Sequence, residues 1–190
     1  MIIITTDDKQ FEQMRTDLAN VATNLTKELR VVSWNVAKKT RAFMAKQIGQ
    51  VLVAPQKIIK KQFTTKKVGE TGALVVLKSS PAISVKWMKP RHTKAGVSWQ
   101  ETKNGGRTNE PMGFMGGKPG TKAPRLHGHA FKRVSADSRA DITKLVGMSP
   151  LEAYLKNAMA TVTREQIEKD LAYELTRRVR FLDLKKQGKI

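Results

Sequence analysis

Apolar residues recur along the first quarter of the chain at Phe11, Met14, Leu18, Val21, Leu25, Leu29, Val32, Val36, Phe43 and Ile48. Most gaps are three or four residues, which lays these side chains along one stripe of an α-helix. The spacing predicts a long helix over about 7–50, with the stripe as core or subunit interface. The preceding stretch, "IIITTDD", predicts a short β-branched strand that ends at a helix cap on Thr6 or Asp7. Asp7, Asp8, Glu12 and Asp17 then fall where the helix dipole favours anions. Gly49 and Pro55 end the long helix. "PQKIIKKQF" predicts a second, short and very basic one, with Pro55 in its first turn.

The period then changes. "TGALVVLKSS" and "PAISVKWMK" alternate and are rich in β-branched residues, with Ser79-Ser80-Pro81 as the turn between them. "AGVSWQET" is a third strand candidate, broken by "NGGRTNEP". Residues 102–125 are mostly Gly, Pro, Lys, Asn and Thr, and predict an irregular loop or extended arm. "HGHAFKRV" gives a fourth strand and "ITKLVGM" a short fifth. In Ser149-Pro150-Leu151-Glu152, the serine can cap the next helix, proline suits its first position and Glu152 can reach back. That helix continues through Tyr154, Leu155, Met159 and Val162. Thr163-x-x-Gln166 predicts a kink or break near 163, and Ile167, Leu171, Leu175, Val179 and Leu182 carry the stripe on.

The order helix, strands, helix predicts an α+β fold: a long N-terminal and a C-terminal helix packed on a small antiparallel sheet, with a long basic Gly/Pro-rich loop. One domain is expected over 1–190. It comprises an N-terminal strand, long helix and short basic helix (1–67), strands (68–101), an extended arm (102–124), further strands (125–148) and the C-terminal helix (149–185). Leu151, Leu155, Ile167, Leu171 and Leu175 are expected to hold that helix on the sheet.

Charge adds the first functional constraint. The chain carries 36 Lys+Arg against 16 Asp+Glu, a formal net charge of +20. Such an excess points to a polyanionic partner, nucleic acid above all, although an acidic protein surface also satisfies it. Cysteine is absent, which excludes disulfides, thiolate zinc sites, iron–sulfur clusters and cysteine nucleophiles. "MIIITTDDKQ" lacks the basic and long apolar regions of a secretory leader, and none is expected. No apolar run approaches the roughly 20 residues that span a bilayer, so no membrane association is expected.

Three catalytic or cofactor readings fail on spacing. Gly117-Lys118 has a glycine four positions earlier, at Gly113, one residue short of a phosphate-binding loop. Pro119 stands where the metal-binding hydroxyl is required. His127-x-His129 needs at least one further metal ligand, and His92 lies among Lys89, Arg91 and Lys94. There is no G-x-S-x-G elbow and no acidic pair in an apolar setting. No enzyme activity, cofactor or metal is expected.

The basic segments remain. Lys86–Arg133 holds eleven Lys+Arg and two acids, interleaved with Trp87, Trp99, Phe114 and Phe131. The tryptophans are assigned to the core face of strands. Phe114 and Met115 are candidates for a partner contact, with Arg107, Lys118, Lys122 and Arg125 on an arm reaching a neighbouring subunit or DNA. Lys57, Lys60, Lys61, Lys66 and Lys67 form a second basic patch. No base-reading signature appears, so DNA would be met through its backbone, with salt-sensitive and sequence-independent binding.

"HAFKRV" at 129–134, "ITKLVGMSP" at 142–150 and "LEAYLKNAMATVTREQIEKDLAYELTRRVRFL" after it resemble the strand–turn–strand–helix module of tailed-bacteriophage minor tail protein Z, the tail completion family. The likeness is firm over about 125–182, extends in pattern over most of the chain, and departs at the 102–124 loop. The resemblance implies a non-enzymatic virion protein, assembled in the host cytoplasm, for tail completion and head–tail joining at the head-proximal end. It implies a hexameric ring near the DNA. Its expected partners are the tail terminator, the tail tube, and the tape measure or a head-side connector. The alternative from charge alone is a sequence-independent nucleic-acid-binding protein used in packaging or regulation.

Overall fold

The computed structural model describes residues 8–78, 82–117, 126–135 and 141–189. In chain order the elements are α1 (Asp8–Val51), α2 (Gln56–Lys60), β1 (Phe63–Val68), β2 (Gly72–Leu77), β3 (Arg91–Thr93), β4 (Gly96–Gln100), β5 (Arg107–Glu110), β6 (Gly113–Met115), β7 (Ala130–Arg133), β8 (Ile142–Lys144), α3 (Pro150–Lys156) and α4 (Met159–Lys186). The fold is α+β, with helices at both ends of short antiparallel strands. The strands form three small sheets rather than the single one expected: β1-β2, β3-β4-β5 and β6-β7-β8.

Contacts divide the chain into two compact units. The first holds residues 1–39, 65–75 and 166–190; the second holds 40–64 and 76–165.

Among the described residues the second unit contains most of the buried apolar side chains. Ile48, Leu52, Ile59, Ile83, Val85, Met88 and Val97 are almost wholly shielded from water, each contributing about 2 kcal/mol by burial. Backbone pairing ties the end of α1 to the end of β4: Val53 N donates to Glu101 O at 3.0 Å and Lys103 N to Val51 O at 2.8 Å. The β3–β4 turn requires a glycine, because Gly96 has φ +109° and a Cβ there would lie 2.1 Å from Glu110 O. Ser149 caps α3 as its sequence predicts, its side chain accepting from Glu152 N at 3.1 Å with Pro150 in the first turn.

In the first unit, α1 and α4 are joined by ion pairs. Glu174 is 3% exposed, yet it accepts from Lys39 Nζ at 2.8 Å and Asn35 Nδ2 at 3.3 Å. Glu28 takes both Nε and Nη2 of Arg178, the latter at 2.9 Å. A groove of about 770 Å³ opens beside this pair, lined on α1 by Leu25, Leu29 and Val32 and on α4 by Leu175, Val179 and Leu182.

Several expectations are corrected. Residues 102–117 are not an irregular arm. Arg107–Glu110 pairs with β4 in the register Val97↔Glu110 to Gln100↔Arg107, and Gly113–Met115 pairs with β7. "NGG" is therefore a turn between strands. β5 exposes the side chains of Arg107, Thr108 and Asn109 to water, which removes the apolar alternation that marks a strand. "PAISVKWMK" is not a strand: Val85–Trp87 form a 3₁₀ turn, and Trp87 is 37% exposed, while Trp99 is buried as expected.

The C-terminal helix breaks at Asn157–Ala158, where Ala158 has φ +47°, and not at Thr163, whose hydroxyl donates to Met159 O inside a continuous α4. Leu155, Leu171 and Leu175 are 66%, 40% and 37% exposed, so they do not bury the helix on a sheet. The strand and cap expected at "IIITTDD", the turn at 79–81, the side chains of Phe11, Met14, Leu18 and Val21, and loop residues 118–124 lie outside the described residues.

Candidate polyanion-binding surface

The charge is unevenly shared. The second unit carries 21 Lys+Arg against 6 Asp+Glu, a net of +15; the first carries 15 against 10, a net of +5. Three of the second unit's carboxylates are also occupied. Glu101 accepts from Trp99 Nε1 at 3.2 Å, Glu110 faces Lys132 at 3.9 Å, and Glu152 pairs with Lys156 at 2.8 Å. The Lys156 ammonium beside Glu152, helped by the Ser149 backbone, lowers the Glu152 pKa below the usual carboxylate range despite slight desolvation.

Lys57, Lys60 and Lys61 project from α2 and the turn after it. All three are exposed, and none pairs with a carboxylate among the described residues. Their helix is held by Arg41, whose Nη2 donates to Lys60 O at 3.1 Å and so satisfies a terminal carbonyl. Lys89, Arg91, Lys94 and Lys103 are likewise exposed and without a carboxylate partner among the described residues. Arg91 opens β3, Lys94 lies in the β3–β4 turn, and Lys103 sits in the turn after β4 that pairs with Val51. Individually these four were not picked out by sequence. The signal available was the density of cations around a short Thr93-x-x-Gly96 turn.

Arg107 is not on a free arm. Its guanidinium donates to Ser98 Oγ at 3.2 Å, Ser98 O at 2.8 Å and Lys89 O at 2.9 Å, clamping β5 to β4 and to the loop before β3. Lys89 has φ +49°, and this hydrogen bond helps hold that unfavourable backbone. Phe114 and Met115 are half-buried in β6, not on an arm. Phe114 sits directly opposite Phe131 on β7 with ring centroids 6.0 Å apart, and the Arg133 guanidinium lies 6.0 Å from the Phe114 ring. An aromatic pair with a cation over it suits stacking against a planar group as well as packing. Lys118, Lys122 and Arg125 lie outside the described residues. The ends of their segment are pinned: Gly116 N donates to His129 O at 2.8 Å and Gly128 N to Gly117 O at 2.9 Å. Lys66 and Lys67 belong to the first unit and are exposed on β1.

The two histidines of the His-x-His motif have different surroundings. His127 is exposed in a turn with φ +49°, and its carbonyl accepts from Lys86 Nζ at 2.5 Å. His129 Nδ1 lies 2.7 Å from the buried Ser84 hydroxyl, a tie between β7 and the chain entering the 3₁₀ turn. Burial lowers the His129 pKa below its ordinary value, and Lys144, Lys86 and His127 lower it further. The charges nearest His129 are cationic. Among the described residues no group of three His, Asp or Glu side chains could hold a metal ion, and no helix is long and apolar enough to cross a membrane.

The arrangement offers exposed ammonium and guanidinium groups, without carboxylate partners among the described residues, on a well-cored frame. That is chemistry for holding phosphates or carboxylates without reading sequence. No family model, no curated protein and no solved structure matches the chain.

Proposed function

We propose that the chain is a non-enzymatic structural protein of a bacteriophage tail. It would act in tail completion and head–tail joining at the head-proximal end, as a hexameric ring with DNA passing through or near its lumen. The observation that carries the polyanion-facing part of this reading is the net +15 of the second unit, with Lys57, Lys60, Lys61, Lys89, Arg91, Lys94 and Lys103 exposed and without carboxylate partners among the described residues. The tail role rests on the resemblance of the 125–182 segment, whose elements are β7, β8, α3 and most of α4. Its partners would be the tail tube, the tail terminator, and the tape measure or a head-side connector.

The test is a comparison of affinities. The purified chain is expected to bind duplex DNA weakly, with affinity falling steeply as salt rises, and to associate far more tightly with tail tube or terminator proteins. Tight DNA binding by the isolated chain, with no association with tail proteins, would instead favour a free sequence-independent nucleic-acid-binding protein.

A further inference from the structure

The first unit neutralises several of its charges internally, through Glu28–Arg178 and through Lys39, Asn35 and Arg177 on Glu174. One cluster there is left over. Lys38 and Lys67 are exposed, neither pairs with a carboxylate among the described residues, and both approach the half-buried ring of Trp34. The Lys38 ammonium lies 5.6 Å from the ring centroid and the Lys67 ammonium 5.9 Å from it.

The two lysines come from different elements. Lys38 is one helical turn beyond Trp34 on α1, while Lys67 lies on β1. One turn before Trp34, Arg30 Nε donates to Glu70 O in the β1–β2 turn at 2.7 Å and holds that hairpin to the helix. Helix and hairpin therefore fix two like charges around one aromatic ring. Neither charge is neutralised by a carboxylate among the described residues, so anions are favoured beside this ring.

We infer that Trp34, Lys38 and Lys67 form a phosphodiester-binding point for a nucleic-acid strand. Each ammonium takes a backbone phosphate, and the indole packs against an adjoining sugar or base. The choice of nucleic acid rests on the polyanion-facing reading above. The site itself is additional, since its three residues belong to the first unit and the charge concentration that supports that reading belongs to the second.

The test uses the full-length chain at low salt, titrated with a duplex DNA fragment while tryptophan emission is followed. The Trp34 contribution is taken as the difference between wild type and Trp34→Phe. A saturable change in that difference is expected. The paired variant Lys38→Gln/Lys67→Gln is expected to lower the slope of log affinity against log salt by about 1.8, at about 0.9 per lost phosphate contact. Both lysines are exposed, so this variant tests the site even if Trp34→Phe perturbs folding.

Poly-glutamate at equal charge concentration is expected to give a much smaller Trp34 response. An equal response would overturn the inference in favour of an acidic protein partner. Free inorganic phosphate is expected to need far higher concentration than DNA phosphate, and equal potency would reduce the site to one for a small anion. DNA binding with an unchanged slope and no Trp34 response would overturn the site and leave the second unit's role standing. No DNA binding at any salt would overturn both.

Discussion

Among the described residues, sixteen of the nineteen buried apolar side chains fall in the second unit; the first has Val32, Val36 and Ala37. The second unit also carries three times the net charge of the first. The first unit instead combines a buried carboxylate, a network of ion pairs, and exposed apolar residues along α4, with Leu171, Tyr173, Val179 and Phe181 each at least 40% exposed. The two units are therefore stabilised differently. Unpaired charge is tolerated where a dense core carries the stability, since exposed cations repel only weakly in water. In the first unit Glu28 and Glu174 are matched by cations across α1 and α4, and these pairs add to the stability of its described part.

The largest effect expected from that contrast is in the core. Leu52→Ala should cost about 3 kcal/mol, because the side chain is fully buried, whereas Leu175→Ala should cost under about 1 kcal/mol. Denaturant unfolding of both variants checks this, and equal costs would remove the distinction between the units. Next is the ion-pair network. Lys39→Ala withdraws the closest partner from the nearly buried Glu174 and should cost about 2 kcal/mol. Hydrogen exchange should locate the loss in α1 and α4, with the amides of β4 and β5 unaffected.

A smaller effect is expected at the start of α3. Ser149→Ala removes the acceptor for Glu152 N and should cost about 1 kcal/mol. Its measurement sharpens the comparison if the loss is confined to the second unit.

The most gradual effect is with pH. Hydrogen bonding from Arg178 lowers the Glu28 pKa, and hydrogen bonding from Lys39 lowers that of Glu174. Their contribution is fully present above the ordinary value of 4.5 and is lost as pH falls through the lower folded values. The burial-lowered pKa of His129 acts in the second unit. Its contribution is present above the ordinary 6.5 and declines below it, as the unfolded chain takes up the proton first. Acid titration followed by hydrogen exchange should therefore weaken the second unit's β7 region before the α1–α4 pairing. The reverse order would contradict the assignment of these groups.

The helices and the later strands were legible in the sequence, because a three-to-four spacing and a Ser-Pro-x-Glu start leave few alternatives. β7 and β8 likewise stood out as short runs between polar breaks. β5 was not legible. Arg-Thr-Asn-Glu forms a strand through backbone pairing with β4, and backbone hydrogen bonds leave no mark in side-chain polarity. Periodicity also misled on α4. Leu171, Leu175 and Val179 do share a helical stripe, but a stripe states which residues point together and not whether anything covers them. In the candidate surface, Lys57, Lys60 and Lys61 stand exposed where the basic helix placed them. Arg107 and Phe114 are built into sheets, because pairing partners distant in sequence claimed them.

The central claim is that this chain completes a phage tail at its head end. It is tested most directly by electron microscopy of particles assembled with its gene deleted. The account predicts tails that are abnormal at the head-proximal end or not joined to heads, restored when the wild-type chain is supplied. Normal, head-joined and infectious particles made without the protein would contradict it.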